Sequence, residues 1–480
     1  MGRAIHDPGA VASYHHLHGA PPSGAACRGL ACFACRADNP ERWAEATARR
    51  SPIYCLGLCH VSPAAAGETA RPSVRVESAE PVLLENIAAG GVRDLATYLS
   101  RGGGDALNRA RSMSPEALIE TIVESGLRGR GGAGFPAGRK WASVRAAGGD
   151  PVIVVNADEG DPGAFSDKAL LEDDPFRLIE AIGIAAHAIG AREAVIYLRC
   201  EYPEAGEIIG AALREADEAD WPGAVRIELT NGRGSFVCGE ETSLLNSLEG
   251  RRPMVRIRPP YPNEQGLYGR PTLVQNVETL CAAPWIVERG GAAFRDLGAD
   301  AEPGVKLISL NAMFREPGLV EIPMGIPVRR IVEDIGGGVK RGRLMGVMIG
   351  GPLAGLLPPR ALDTPFAHSA LASVGGAVGH GGVIAFADDT DLASLIAEVF
   401  RFGAGESCGL CAPCRLGTAE LAGAFERLCA GERGVIDSTE WGSLIAALEQ
   451  TSLCGHGRGL AEFARSLEKN FPEELAACLR

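Results

Sequence analysis

Cys408, Cys411 and Cys414 form a C-x2-C-x2-C run, and Cys454 follows after 39 intervening residues. Three thiolates on so tight a loop converge on one point and suit three corners of a cubane, with the fourth ligand arriving from a distant segment. The spacing therefore predicts a [4Fe-4S] cluster; zinc is the competing metal, although its ligands usually come as separated pairs. Gly409 and Pro413 tighten the loop, Arg415 can offset the charge of four thiolates, and His456 is the nearby substitute for Cys454. A second group, Cys27 and Cys32 as C-x4-C with Cys55 and Cys59 as C-x3-C, fits a four-thiolate [2Fe-2S] site on two loops. Cys35 competes there, and a redox-inactive relic is the alternative. Most of the other six of the 14 cysteines (Cys35, Cys200, Cys238, Cys281, Cys429 and Cys478) are expected to pack as small buried hydrophobes. Reduced thiols are expected throughout, because Met1–His18 lacks the apolar core of an export signal.

A different chemistry is written into the middle of the chain. Gly129-Arg130-Gly131-Gly132-Ala133-Gly134 matches G-x-G-x-x-G formally, but an apolar helical pattern precedes it where a dinucleotide fingerprint needs a strand. What survives is the physics of the glycines: main-chain N–H groups can approach phosphate oxygens, and Lys140 follows within reach to add charge. Phe135 and Trp141 are wrong for a flexible linker. Asn156-Ala157-Asp158-Glu159-Gly160-Asp161 leaves a short apolar strand at its C-terminal end, where open α/β sheets bind ligands. Its carboxylates suit ribityl or ribose hydroxyls, with a solvated acidic turn as the alternative. Glu240 and Glu241 after Gly239 read either as a second acidic loop or as a plain helix start. Arg258-Pro259-Pro260-Tyr261-Pro262 offers a cation and an aromatic on an extended, PPII-like rod, and Pro271 to Thr279 starts a helix with amides near its N-terminus.

These residues need elements to hold them. Ser114 to Gly126 predicts a capped helix with Leu118, Ile119, Ile122 and Val123 on one face, Pro151 to Asn156 a buried strand, Leu178 to Gly190 a helix, and Ala194 to Leu198 a second strand. Val305 to Asn311, Leu319 to Ile322, a helix at Val328 to Ile335, and Leu344 to Ile349 predict a small α+β unit. From Thr390 the period is helical, with a face of Leu392, Leu395, Ile396, Val399 and Phe400 ended by Gly403, and Asp437 with Glu440 as a capping box. A length of 480 residues predicts three or four domains. The net charge of −13 argues against a nucleic-acid scaffold, and no run of eighteen apolar residues could span a membrane.

GLRGRGGAGFPAGRKW, NADEGDPGAF, GSFVCGEETSLLNSLEG, RPTLVQNVETL and ESCGLCAPCR, in this order, resemble the NADH-oxidising flavoprotein subunit of complex I. The diaphorase subunits of NAD-linked formate dehydrogenases and bidirectional hydrogenases share that family. The resemblance, from about Ala110 to Leu475, implies an α/β multidomain fold: a Rossmann-like FMN- and NADH-binding domain over 105–300, a ubiquitin-like (SLBB) β-grasp domain over 303–388 and a helical [4Fe-4S] domain over 390–480. Residues 1–85 look like a shortened thioredoxin-like ferredoxin module, commoner as a fusion in the formate dehydrogenase and hydrogenase relatives. Carried over by motif, FMN contacts are implied at Gly129, Arg130, Gly131, Gly132, Lys140, Asn156, Asp158, Glu159, Gly239, Glu240, Glu241, Val274, Gln275, Asn276 and Thr279. The nicotinamide nucleotide is implied against Phe135, with Asp161, Phe236, Glu241, Arg258 and Tyr261 along its path. Asp161, Phe236, Arg258 and Tyr261 depart from the complex I pattern, as does Ser143, which stands where an aromatic usually helps to stack adenine.

The resemblance further implies hydride transfer between NAD(H) and FMN without a protein acid or base, then single-electron transfer through the Cys408/Cys411/Cys414/Cys454 cluster to or from other subunits of a redox complex. Such a subunit is expected in the cytoplasm, reaching the inner face of a membrane only through partners. A complex I flavoprotein subunit, or a non-enzymatic electron-transfer subunit that kept the fold and lost its nucleotide, are the rivals. Lys140, Glu240 and Glu241 speak against the second.

Overall fold

The molecule is built around two sheets and a helical C-terminal region, seen in a computed structural model that describes residues 19–49, 51–299 and 302–479. The reading of Met1–His18 lies outside the described residues. The first sheet has four parallel strands in the order β4-β3-β2-β5: β2 (Val152–Ala157), β3 (Glu193–Leu198), β4 (Arg226–Asn231) and β5 (Thr272–Asn276). The unbroken apolar run of β2 is what a strand covered on both faces requires, and only Asn156 at its end is not fully buried. β4, at the edge, is largely exposed. Helices Ser166–Asp173 and Pro175–Ile189 carry the chain from β2 to β3, and Pro203–Glu218 carries it from β3 to β4. Because β3 and β5 flank β2 on opposite sides, the winding reverses between β2 and β5, and such a reversal opens a crevice at the strands' C-terminal ends. The register puts Asn156 and Asn276 side by side at that crevice.

The second sheet has six strands in the order β1-β7-β6-β10-β8-β9. β6 (Val305–Leu310) and β7 (Gly318–Pro323) form an antiparallel hairpin, and β10 (Gly382–Ala387) lies parallel to β6 and antiparallel to β8 (Leu344–Ile349), which pairs with the two-residue β9 (Leu356–Leu357). β1 (Val74–Val76) comes from the N-terminal part of the chain and adds to β7 in parallel. Between β7 and β8 runs a turn of wide helix, Arg330–Ile335. The C-terminal region packs Leu392–Gly405, Thr418–Cys429, Ser438–Thr451 and Gly455–Asn470 through one apolar face each, and this core is continuous with that of both sheets.

Several elements differ from expectation. Thr272–Asn276 is strand β5, and the helix starts only at Val277, so Gln275 and Asn276 sit at a strand end: the β-branched Thr272 and Val274 suit a buried strand paired with β2. Arg258–Pro259 and Pro259–Pro260 are both cis, so the segment is not the extended all-trans rod that was expected. Leu392–Gly405 runs past Gly403, whose missing side chain admits Leu460 of the neighbouring helix. Asp437 caps its helix through the N–H groups of Thr439 and Glu440. Cys35, Cys200, Cys238 and Cys281 are buried as expected, Cys478 packs half-buried against the core, and Cys429 is exposed. Val123, read on the apolar face of its helix, is also exposed. Before Val74 the described residues hold short helices and one isolated bridge, Ala26 to Ala65, with no named strand.

Candidate functional site

The glycine run follows helix Pro115–Glu124 and leads into helix Ala137–Ala147, so no strand precedes it. A bridge between Arg128 and Pro136 and a bond from Gly129 N–H to the Phe135 carbonyl (2.8 Å) close it into a loop. Gly132 (φ 121°) and Gly134 (φ 62°) hold backbone that other residues rarely adopt. A Cβ on Gly131 would lie 3.0 Å from that of Asn276, so the loop is pressed against the end of β5. Its exposed backbone and the two asparagines thus face one crevice.

Around it, Asn156 donates to the Gly239 carbonyl (2.8 Å) and accepts from Asp158 N–H (3.1 Å), tying the two acidic loops together. Lys140 Nζ bonds Glu241 Oε2 (2.9 Å) and the Val274 carbonyl (3.1 Å), and Arg258 takes the other oxygen of Glu241 at 3.1 Å. Glu240 is both a loop residue and a helix start: its carboxylate caps Glu241–Leu248 by accepting from Thr242 and Ser243 N–H. Thr279 Oγ1 accepts from Arg130 N–H (2.8 Å). Two buried acceptors here have no partner, Asp158 Oδ2 and Gln275 Oε1. Burial also pushes the Asp158 carboxyl well above the usual range, against the pull of Arg199. Orphaned buried atoms beside a glycine cradle are what a polar, phosphorylated cofactor would satisfy, so these residues fit FMN.

Other expected contacts point elsewhere. Arg130 sends its buried guanidinium away from the cradle to the Pro303 carbonyl (3.3 Å). Glu159 accepts from the N–H groups of Asp167 and Lys168 (3.0 and 3.1 Å), capping helix Ser166–Asp173 inside the core. Asp161 faces His380 at 3.7 Å. Phe236 packs on Phe402 and His456, with ring centres 5.0 and 5.7 Å apart, and its N–H donates to Glu406, so it joins the loop to the C-terminal region. Phe135 and Tyr261 are the exposed rings, 48% and 50% accessible, and Ser143 turns back onto the Lys140 carbonyl.

In the C-terminal group Cys408, Cys414 and Cys454 are buried and Cys411 half-buried. Cys414 lies on the wide helical turn Pro413–Gly417, and Cys454 caps the start of Gly455–Asn470. Burial, together with the charges of Cys411, Cys454 and Cys408, pushes Cys414 up to about 12, so four thiolates here need a cationic centre. Four sulfurs around one zinc stand roughly 3.8 Å apart for Zn–S bonds near 2.3 Å. Among the described residues, however, the one trio of ligand atoms within 4.8 Å of each other is Glu159, Asp167 and His380. No three sulfurs of the described cysteines lie within that distance of one another. His456, the nearby substitute, bonds the Gly403 carbonyl through Nε2 (2.8 Å) and leaves Nδ1 buried without a partner. Arg415 bonds the Gly409 carbonyl (2.7 Å), bracing the loop.

Cys27, Cys32, Cys55 and Cys59 are also brought together: Cys55 and Cys59 sulfurs are 3.5 Å apart, and Cys27 feels Cys32 and Cys55. Cys35, the competing thiol, is buried and lies under the charges of Lys340 and Asp38. Reading the sequence missed His380, Lys306 and Glu278, three buried charged groups between the sheets; a histidine set between glycines at the mouth of an apolar strand was the available signal.

A nucleotide cradle at a sheet's switch point, in a chain with a group of convergent buried thiols, defines a protein that moves electrons between a nucleotide and a metal cluster. Family models agree: residues 122–285 match the Nuo51 FMN-binding domain and residues 394–478 the NADH-ubiquinone oxidoreductase-F iron-sulfur binding region. The chain is 40% identical to an F-type NADH-quinone oxidoreductase subunit of Rhizobium meliloti, over 83% of its own length and 97% of the relative's. It is 36% identical to the NADP-reducing hydrogenase subunit HndC of Solidesulfovibrio fructosivorans, over 79% of each chain. A crystal structure of NAD+-reducing [NiFe]-hydrogenase superposes with a TM-score of 0.84 at 29% identity, covering 99% of this chain and 89% of that one. The chain belongs to the family of F-type NADH-quinone oxidoreductase subunits.

Proposed function

We propose that this chain is the NADH dehydrogenase (diaphorase) subunit of a larger redox complex, exchanging electrons between NAD(H) and partner subunits through FMN and a [4Fe-4S] cluster. The observation that carries this reading is the glycine cradle facing Asn156 and Asn276, with unpartnered Asp158 and Gln275 acceptors, in a chain whose Cys408, Cys411, Cys414 and Cys454 converge. FMN, when bound, supplies the conversion between two-electron and one-electron transfer. The chain's part is to bind, orient and insulate. Backbone N–H groups of Gly131 to Gly134 receive phosphate, those of Gly129 and Arg130 being used to close the loop and to reach Thr279, and Lys140 contributes charge while Glu241 and the Val274 carbonyl fix its position. Asp158, Gln275 and Asn276 supply directional hydrogen bonds, with Val274, Gly239, Glu240 and Thr279 framing them. Phe135 and Tyr261 offer faces to a nicotinamide nucleotide, and the Glu241–Arg258 pair lines its entry. Arg130, Glu159, Asp161 and Phe236 act as supports behind this surface rather than as contacts.

Finer points rest on separate observations. The order β7-β6-β10-β8-β9 with one intervening helix supports a β-grasp unit over 303–388, beside a nucleotide-binding unit over 105–300 and a cluster-binding helical unit over 390–480. Cys27/Cys32 and Cys55/Cys59 stand as two pairs, which supports a [2Fe-2S] cluster with two thiolates per iron in a shortened thioredoxin-like module. Coverage of nearly the whole chain by a hydrogenase structure, N-terminal cysteines included, favours a hydrogenase- or formate dehydrogenase-type complex; the alternative is complex I itself. No helix among the described residues is long and apolar enough to cross a membrane, in keeping with a cytoplasmic site and peripheral attachment through partners. The test is reconstitution with FMN and iron: NADH-dependent ferricyanide reduction is expected, and protein that holds both cofactors yet lacks this activity would overturn the reading.

A further inference from the structure

The loop Gly379-His380-Gly381 belongs to the second sheet but reaches the first. Gly379 bridges to Gly132 of the glycine cradle through the backbone. Beside it, His380 is buried, with Nε2 3.1 Å from Asp167 Oδ2 and 3.4 Å from Glu159 Oε1, and Nδ1 3.7 Å from Asp161 Oδ2. Asp167 then passes the contact on: its Oδ2 accepts from Asn276 Nδ2 at 2.6 Å, and its Oδ1 accepts from Glu278 N–H. One imidazole from the second unit thus anchors the carboxylate that aims Asn276, the residue paired with Asn156 at the crevice.

We propose that His380 is a positioning residue for the flavin: through Asp167 it orients Asn276, and through the Gly379–Gly132 bridge its loop holds the phosphate cradle, so that the cofactor site is complete only when the second sheet is docked. The inference rests on the assignment of Asn276 and the glycine loop to FMN. Charge supports it. Burial opposes a charged imidazole, but Asp167, Glu159 and Asp161 overcome this and hold His380 up to about 9, so it is a cation at neutral pH. The other charged groups packed against it are Lys306 on β6, whose ammonium bonds the His380 carbonyl (3.0 Å), Glu278 paired with that ammonium, and Arg199, which acts on Asp161. No water-filled route is needed for this role; a hydrogen bond to a charged group in a dry site is enough to fix a side chain.

The experiment measures FMN binding to the full-length apo-chain by quenching of flavin fluorescence. His380→Gln keeps a polar side chain and loses the cation; FMN is expected to bind about tenfold more weakly at pH 7.5, as for loss of one charge-assisted hydrogen bond. For the unaltered chain, affinity is expected to fall between pH 7.5 and 9.5, while His380→Gln stays flat across that interval. Equal affinity of the two chains at pH 7.5, or a flat profile for the unaltered one, overturns the proposal. If His380→Gln does not fold, histidine-ring NMR of the unaltered chain decides: a neutral His380 at pH 7.5 overturns it, a cationic one supports it. Asn276→Ala separates the two readings. If it loses FMN while His380→Gln does not, only the role of His380 falls; if it binds FMN normally, the site assignment itself is wrong.

Discussion

Cys454 separates the metal chemistry of this molecule from its flavin chemistry, because it lies in the helical region while the cradle belongs to the first sheet. Cys454→Ala is expected to abolish the low-temperature paramagnetic signal of the reduced [4Fe-4S] cluster while leaving flavin absorbance intact; a retained signal would move the fourth ligand elsewhere. Residue type and spacing made both cysteine groups legible, since thiolate convergence is a property of short loops. The direction of a buried side chain was not legible. Glu159 stands beside Asp158 in one acidic motif, yet one caps a helix in the core and the other keeps a bare oxygen at the crevice. What decides between them is the helix Ser166–Asp173, whose free N–H groups need an acceptor, and only the fold brings it there.

At the scale of elements, the cradle depends on a glycine loop lying against a strand end. Gly131→Val should close that gap, because even a Cβ would sit 3.0 Å from Asn276 Cβ; flavin content after reconstitution should fall severalfold with little change in circular dichroism. Glu240 serves the same surface by capping Glu241–Leu248, and Glu240→Ala is expected to cost about 1 kcal/mol of stability in urea melts. Apolar period alone revealed β2, β3 and most helices to within a few residues. It misplaced the element at Pro271, where Thr272-Leu273-Val274 reads equally as a helix start or a buried strand; the partner strand β2 settles the matter.

Across the whole molecule, the two sheets meet through buried charge. Lys306 on β6 and Glu278 of the first unit form a fully buried ion pair, so Lys306→Met should strand the carboxylate and destabilise the protein by about 3–5 kcal/mol, with much of the loss recovered when Glu278→Leu is added. His380 works in the same seam. Its folded value near 9 lies above the ordinary 6.5, so its contribution is full below about pH 6.5 and is lost as pH rises through about 9. Thermal melts should show a midpoint falling between pH 7.5 and 9.5, a slope that His380→Gln flattens. None of this seam was visible in the chain's text, because its members are far apart in sequence and each alone reads as an ordinary surface charge.

Strand β1 adds a matter of timing. Its entry segment is tied to β7 across 244 residues, where Ser73 Oγ donates to the Pro317 carbonyl (2.7 Å). At translation rates of about 5–20 residues per second, the N-terminal cysteine loops leave the ribosome roughly 12–50 s before the strand that finishes their anchorage exists. Were Cys27, Cys32, Cys55 and Cys59 to take the [2Fe-2S] cluster proposed above, its delivery would either wait for the rest of the polypeptide or act on a nascent segment shielded by other means, and a gene fragment ending before Gly318 would express a cysteine module without its mooring.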